Sequence, residues 1–310
     1  MKRTSTITKL LVVVGAVTLV GALLLPTSAG CTRQSGESNA QKVQQPPNPS
    51  ATSQRGGGSG GIIVDYTCLD LSRIPDEWIE AVKSNVRVHY AHTSHGGQVT
   101  AGLRILQSQY PKYACAIGNK KLPTTRGALC IFDGQERESY ISPDLYWATP
   151  AGRRATHSVL QNNPTINVSL WSWCCQQTHN SKAQTQAYLD AMDELQQAHP
   201  NVVFVYMTGN AQAWHGHHSY KDDKGGYTRY VRNEQIRQYC RVRNKPLYDF
   251  ADIESWYGGR QATSTYQGNT FPREHDHFNR KERAHTSNEN CLNKAKAFWW
   301  LLARIAGWQG

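Results

Sequence analysis

Apolar residues along this chain fall into short, nearly continuous runs separated by polar or glycine-bearing turns, the pattern expected of strands buried on both faces of a sheet. In the first clear run, Val86, Val88, Tyr90 and His92 alternate with Arg87, His89 and Ala91 before Thr93, Ser94, His95, Gly96 and Gly97 break the pattern. Four more runs follow: Ala128 to Phe132, Ile166 to Trp173, Val202 to Met207 and Pro246 to Ala251. Three of these end in Asp133-Gly134-Gln135, Cys174-Cys175-Gln176 and Thr208-Gly209-Asn210. Helical spacings lie between the runs. Ala187, Ala191, Leu195 and Ala198 recur every three or four residues behind Asn180 and Ser181, which can cap a helix. A last helix is predicted with Leu292, Ala295, Trp299, Leu302 and Ile305 on one face.

Strands alternating with helices argue for a parallel sheet covered on both sides, in which ligands bind outside the carboxyl ends of the strands. The polar tripeptides just quoted all fall at that edge. Residues 62–310 hold no second linker, repeat or further long apolar run, so they read as one domain large enough to bury a full core.

The N-terminal fifth of the chain has a different composition. Lys2, Arg3 and Lys9 precede the apolar run Leu10 to Leu25, and Ser28, Ala29 and Gly30 lead to Cys31, the layout of an export signal over residues 1–30. Ser-Ala-Gly-Cys also resembles a bacterial lipoprotein signal, which implies lipidation of Cys31 and attachment to a membrane surface. Residues 31–61 are rich in Gly, Ser, Pro and Gln and read as a flexible tether. The protein is thus expected in the cell envelope or outside the cell.

The net charge of +11 is scattered, with no dense Lys/Arg stripe on a nucleic-acid-binding motif, so no nucleic-acid partner is expected. Besides Cys31 there are seven cysteines. In an oxidising compartment most should pair, with Cys115–Cys130 and Cys240–Cys291 as candidate bridges and at least one thiol left over. No Cys-x-x-Cys spacing occurs, and Cys174 and Cys175 are adjacent.

The strand-to-helix turn at Ser94 places a hydroxyl beside backbone N–H groups that could receive an oxyanion, although capping the following helix would also explain a serine there. A base is available in His285, ahead of the last helix, with Glu282 three positions earlier to orient it. With these residues, HTSHGGQ, WSWC with Gln176, VYMTGN, LYDFADIES and FWWLLARIAGW, the chain resembles the SGNH (GDSL-like) hydrolase superfamily over roughly residues 85–308. The resemblance implies a three-layer α/β/α sandwich around a five-stranded parallel sheet of flavodoxin-like type. It also implies a metal-free and cofactor-free esterase or deacylase that works through an acyl-enzyme, with O-acyl groups on extracellular or envelope polysaccharide, or an acylated small molecule, as substrate. Ser94 would be the nucleophile, His285 the base and Glu282 its carboxylate; the oxyanion hole would draw on Ser94, Gly134 and either Gln176 or Asn210. Asp249 and Asp252 are rival partners for the imidazole. Two departures from the family pattern are that His92-Thr93-Ser94 replaces Gly-Asp-Ser and that the third strand end lacks its aspartate.

Two other functions compete. Twelve histidines include His92, His95, His215, His217, His218, His275 and His277, which with Asp252 or Asp276 could hold a zinc ion for metal-assisted hydrolysis. Alternatively, Trp147, Trp171, Trp173, Trp214 and Trp256 near strand ends would suit sugar rings in a binding protein that has lost its chemistry.

Overall fold

The computed structural model describes residues 61–213 and 223–310, all within the compact unit Ser53–Gly310. The expected export signal, the tether, Cys31, Trp214, His215, His217 and His218 lie outside the described residues.

The fold is α/β with a parallel central sheet flanked by helices. Its strands are β1 (Ile63–Val64), β2 (Arg87–His92), β3 (Cys115–Asn119), β4 (Leu129–Asp133), β5 (Val168–Ser172), β6 (Val203–Met207) and β7 (Leu247–Tyr248), in the order β1-β7-β6-β5-β2-β4-β3. Every neighbouring pair is parallel. The sheet therefore has seven strands rather than the expected five. The two additions are edge strands, one of only two residues and one, Cys-Ala-Ile-Gly-Asn, half-exposed along most of its length, so neither forms a sustained apolar run. Two antiparallel hairpins, β8 (Trp256–Tyr257) with β9 (Arg260–Gln261) and β10 (Thr263–Tyr266) with β11 (Asn269–Pro272), follow the main sheet.

The helices are α1 (Asp76–Asn85), α2 (Gly97–Gln109), α3 (Pro143–Tyr146), α4 (Pro150–Asn162), α5 (Lys182–Ala198), α6 (Asp223–Arg243), α7 (Phe250–Ser255) and α8 (Asn288–Ala306). Tyr90 is opposite Leu170 in the β2–β5 register, so Tyr90 and Trp171 face opposite sides of the sheet. On one side Tyr90 meets Phe298 of α8, with ring centroids 6.0 Å apart. On the other, Trp171 and Trp173 pack on Trp147 and on Tyr188 of α5. These three indoles are core, 0–6% exposed, and not the exposed sugar platform their positions near strand ends suggested. Trp256 stacks on Tyr66 at 4.1 Å.

Helix α5 begins as expected. Ser181 accepts from the Gln184 N–H, and the Gln184 side chain accepts from the Ser181 N–H, a reciprocal cap that satisfies two end groups at once. Its buried face is Tyr188, Leu189, Met192 and Leu195; Ala187 and Ala198 are exposed. The run from Pro246 stops pairing at Tyr248, because Asp249 accepts from the Asp252 N–H and starts α7. The seven described cysteines are all free thiols. Cys130 on β4 lies opposite Ala116 rather than Cys115, and Cys240 and Cys291 belong to α6 and α8, so neither expected bridge forms.

Candidate active site

The chain leaves β2 toward β3 and β4 on one side of the sheet, then crosses back to β5, β6 and β7 on the other. Strand β2 is thus where the order reverses, and the crevice outside the carboxyl ends of β2 and β5 is the ligand position this topology favours. Ser94 and His95 follow β2 on a single 3-10 turn that runs directly into α2. Cys174 and Cys175 follow β5. That turn lies tight against the sheet: a Cβ on Gly96 would come within 2.3 Å of the His92 Cβ and 2.9 Å of the Ser172 Cβ, so only glycine fits.

The groups meet in a chain of contacts. Ser94 Oγ is 3.2 Å from Cys174 Sγ, and His95 Nδ1 is 2.9 Å from the same sulfur. The hydrogen bond with the Cys175 thiol, followed by those with His95 and Ser94, holds the Cys174 thiol well below its ordinary range despite burial. Cys175 is pushed up by its hydrogen bond to Cys174, by burial and by that neighbour's charge. The ring of His285 stacks on His95 with centroids 4.8 Å apart. His95, Cys175, Asn210, Arg229, Glu274 and His285 line one cleft with an empty volume of about 640 Å³, open to solvent.

His285 is presented by an unusual turn. Ala284 (φ 46°) and His285 (φ 73°) are consecutive left-handed residues, a conformation costing roughly 1–2 kcal/mol per L-residue. The turn is held by the Arg283–Thr286 bridge and by Gln98 of α2, whose Nε2 donates to the Ala284 carbonyl at 2.9 Å. The helix that follows Ser94 therefore anchors the loop that carries the imidazole.

Other expected residues fall elsewhere. Glu282 is exposed and its carboxylate accepts from the Asn288 N–H at 2.8 Å, capping α8 rather than orienting His285. Asp249 is clamped by Arg237, 2.6 Å to Nε and 2.7 Å to Nη2, and also accepts from Thr208 Oγ1. Asp252 accepts from the Tyr66 N–H and the Trp256 indole, with its carboxyl pushed up to about 6 by burial and then by Asp249. Both aspartates are structural ties. Gly134, at φ 100°, spends its N–H on the Tyr90 carbonyl at 2.9 Å, so it offers no donor to an oxyanion. Gln176 turns its Oε1 to the Cys174 N–H at 2.6 Å. Asn210 does line the cleft; its Nδ2 donates to the Ala211 carbonyl, and among the described residues its buried Oδ1 has no hydrogen-bond partner.

Charge is buried beneath the cleft. Lys294 of α8, fully buried, reaches Glu254 Oε2 and Gln98 Oε1, each at 2.8 Å, and lies 3.7 Å above the Phe250 ring. Glu254 Oε1 also accepts from the Ala211 N–H at 2.5 Å. Nearby, Glu274 accepts from Thr286 Oγ1 at 2.8 Å and is pushed up to about 8, first by burial and then by the charge of Glu254. Gln98, Glu254 and Lys294 in helices and Glu274 in the segment after β11 are single polar residues, which carry no spacing signal in the sequence. For Cys174 and Cys175 the available clue was their place at the end of the β5 run.

Among the described residues no group of three His, Cys, Asp or Glu side chains is arranged to hold a metal ion. His92 Nδ1 donates to the Thr93 carbonyl, and Nε2 lies 3.0 Å from Asp133 Oδ1, an ion-pair distance without hydrogen-bond alignment. His277 contacts Glu289 at 2.6 Å and stacks on Tyr257. Among the described residues no helix is long and apolar enough to cross a membrane. The sequence matches no protein-family model and no curated protein.

Proposed function

We propose that the protein is an acyl-ester hydrolase of SGNH type, on a flavodoxin-like version of its parallel sheet, acting through a covalent intermediate on Ser94. One observation carries the reading: a hydroxyl, a thiol and two imidazoles converge at the strand-order reversal, from segments near residues 94, 174 and 285. In this mechanism Ser94 Oγ attacks the acyl carbonyl, His285 takes its proton once substrate draws the imidazole in, and the leaving alcohol receives that proton. N–H groups of the first turn leading into α2 face the developing oxyanion. O-acyl groups on polysaccharide are the substrate class in view, and an exported, lipid-tethered location through Cys31 fits that role.

A second nucleophile is favoured by a specific observation. Cys174 is the group in direct contact with an imidazole, at 2.9 Å, and is the acidified one. Hydrolysis of 4-nitrophenyl acetate, measured for wild type, Ser94→Ala and Cys174→Ala with and without EDTA, separates the possibilities. The expected result is a loss of roughly a thousandfold or more in Ser94→Ala, partial activity in Cys174→Ala, and indifference to EDTA. A loss confined to Cys174→Ala transfers the role to the thiol. Full activity in Ser94→Ala that EDTA abolishes ends the covalent reading.

A further inference from the structure

Two neighbouring sulfurs at the carboxyl end of β5 have more chemistry than the hydrolytic reading requires. Cys174 Sγ and Cys175 Sγ are 3.9 Å apart. Cys175 lines the open cleft, while Cys174 is 8% exposed and held between Ser94 and His95. We propose that Cys174 and Cys175 form a vicinal dithiol, a modification site that a small disulfide such as oxidised glutathione closes into an intrachain disulfide.

The two thiols have different roles. Cys174, as thiolate, attacks one sulfur of glutathione disulfide, forming a Cys174–glutathione bond and expelling one glutathione thiolate. Cys175 then attacks the Cys174 sulfur, forming the Cys174–Cys175 bond and expelling the second glutathione thiolate. The proton already released by Cys174 and the one leaving Cys175 are taken up by the two expelled glutathione thiolates. Two cysteine thiols are thus oxidised and one glutathione disulfide is reduced to two thiols.

The local environment favours this order. Cys174 is the acidified thiol, whereas burial pushes Cys68, Cys115 and Cys291 up, the latter two to about 11. The resting Cys175 is suppressed chiefly by its hydrogen bond to Cys174, with burial and the Cys174 charge adding to it. Capping Cys174 with glutathione removes both Cys174 effects, so the first step prepares the second. Consecutive Cα atoms are about 3.8 Å apart, less than the separation disulfides ordinarily span, so the closed ring is strained and readily reduced. Closing it takes the Cys174 sulfur out of its contacts with Ser94 and His95 and lowers hydrolysis to the partial level expected of Cys174→Ala until a thiol reopens it. Ring formation does not depend on the hydrolase reading.

The test exposes the native full-length protein to oxidised glutathione, alkylates remaining thiols with iodoacetamide, and maps the peptide holding both cysteines by mass spectrometry. The expected peptide has lost two hydrogens, bears neither glutathione nor an alkyl group, and becomes doubly alkylated after dithiothreitol. The Cys175→Ser protein should stop at a glutathione adduct on Cys174. A wild-type peptide with a persistent glutathione adduct, or with both thiols alkylated, overturns the proposal. These outcomes are read from mass alone and stand apart from whether any ester is cleaved.

Discussion

Single residues in this fold are held in states they would not take in water. His89 is the clearest case: fully buried, it is pushed down to about 4 by burial, so the ring is neutral at ordinary pH. Its Nε2 faces the Gly134 carbonyl at 3.0 Å and must carry the proton, leaving Nδ1 to accept from Ser169, which in turn accepts from Tyr146. Glu274 is raised instead. A carboxyl raised in the folded state adds stability that is complete below its ordinary value near 4.5 and is lost as pH climbs toward about 8. Stability should therefore decline across that window, and Glu274→Gln, which carries no titrating proton, should flatten the decline. Melting temperatures at intervals from about pH 5 to about pH 8 test this, and equal slopes in the two proteins would refute it. None of these environments is written in the local sequence, because burial and a neighbouring charge depend on segments far along the chain.

Among whole elements, the closest union is α2 against α8. Gly102 permits it: a Cβ there would fall 1.8 Å from the Cys291 carbonyl oxygen and 2.4 Å from its carbon, both backbone atoms that cannot rotate away. Alanine would gain about 1 kcal/mol of helix propensity. Forcing the helices apart costs about 1–3 kcal/mol, occasionally more, and at this depth of overlap it wins. Gly102→Ala should accordingly lower the stability measured by urea unfolding, and because α2 and α8 frame the site, it should lower turnover too. The elements themselves were largely legible in the sequence. The runs ending at His92, Asp133 and Met207 and the helices beginning after Ser181 and Ser287 fall close to their predicted places, since sustained apolar runs and capping residues are local signals. The edge strands β1 and β3 and both hairpins escaped because they are short and half-exposed. At the site, single residues were legible and partnership was not: Ser94 touches the Cys174 thiol, His285 stacks on His95, which touches the same sulfur, and that thiol enters from β5, eighty residues away from the serine.

Across the whole molecule, long-range ties join the beginning and end of the domain. Lys294 is bonded to Gln98 across 196 positions and to Glu254 across 40, with no exposed surface. Removing one member of such a buried pair leaves an uncompensated charge and costs about 3–5 kcal/mol, so Lys294→Ala should be severely destabilised. Lys294→Met, which fills much of the same space, also leaves Glu254 unpaired and should recover only part of the loss. Guanidinium titration followed by tryptophan fluorescence measures both. The same connectivity sets a timetable for a chain emerging from its N-terminus. Among the described residues β1 pairs only with β7, and α8, which covers α2 and supplies the lysine, follows every other element. A nascent chain can therefore complete neither its sheet nor its cleft while it is still being made. The serine and the paired thiols pass through those stages without their finished surroundings, which exist only once the final helix closes the body.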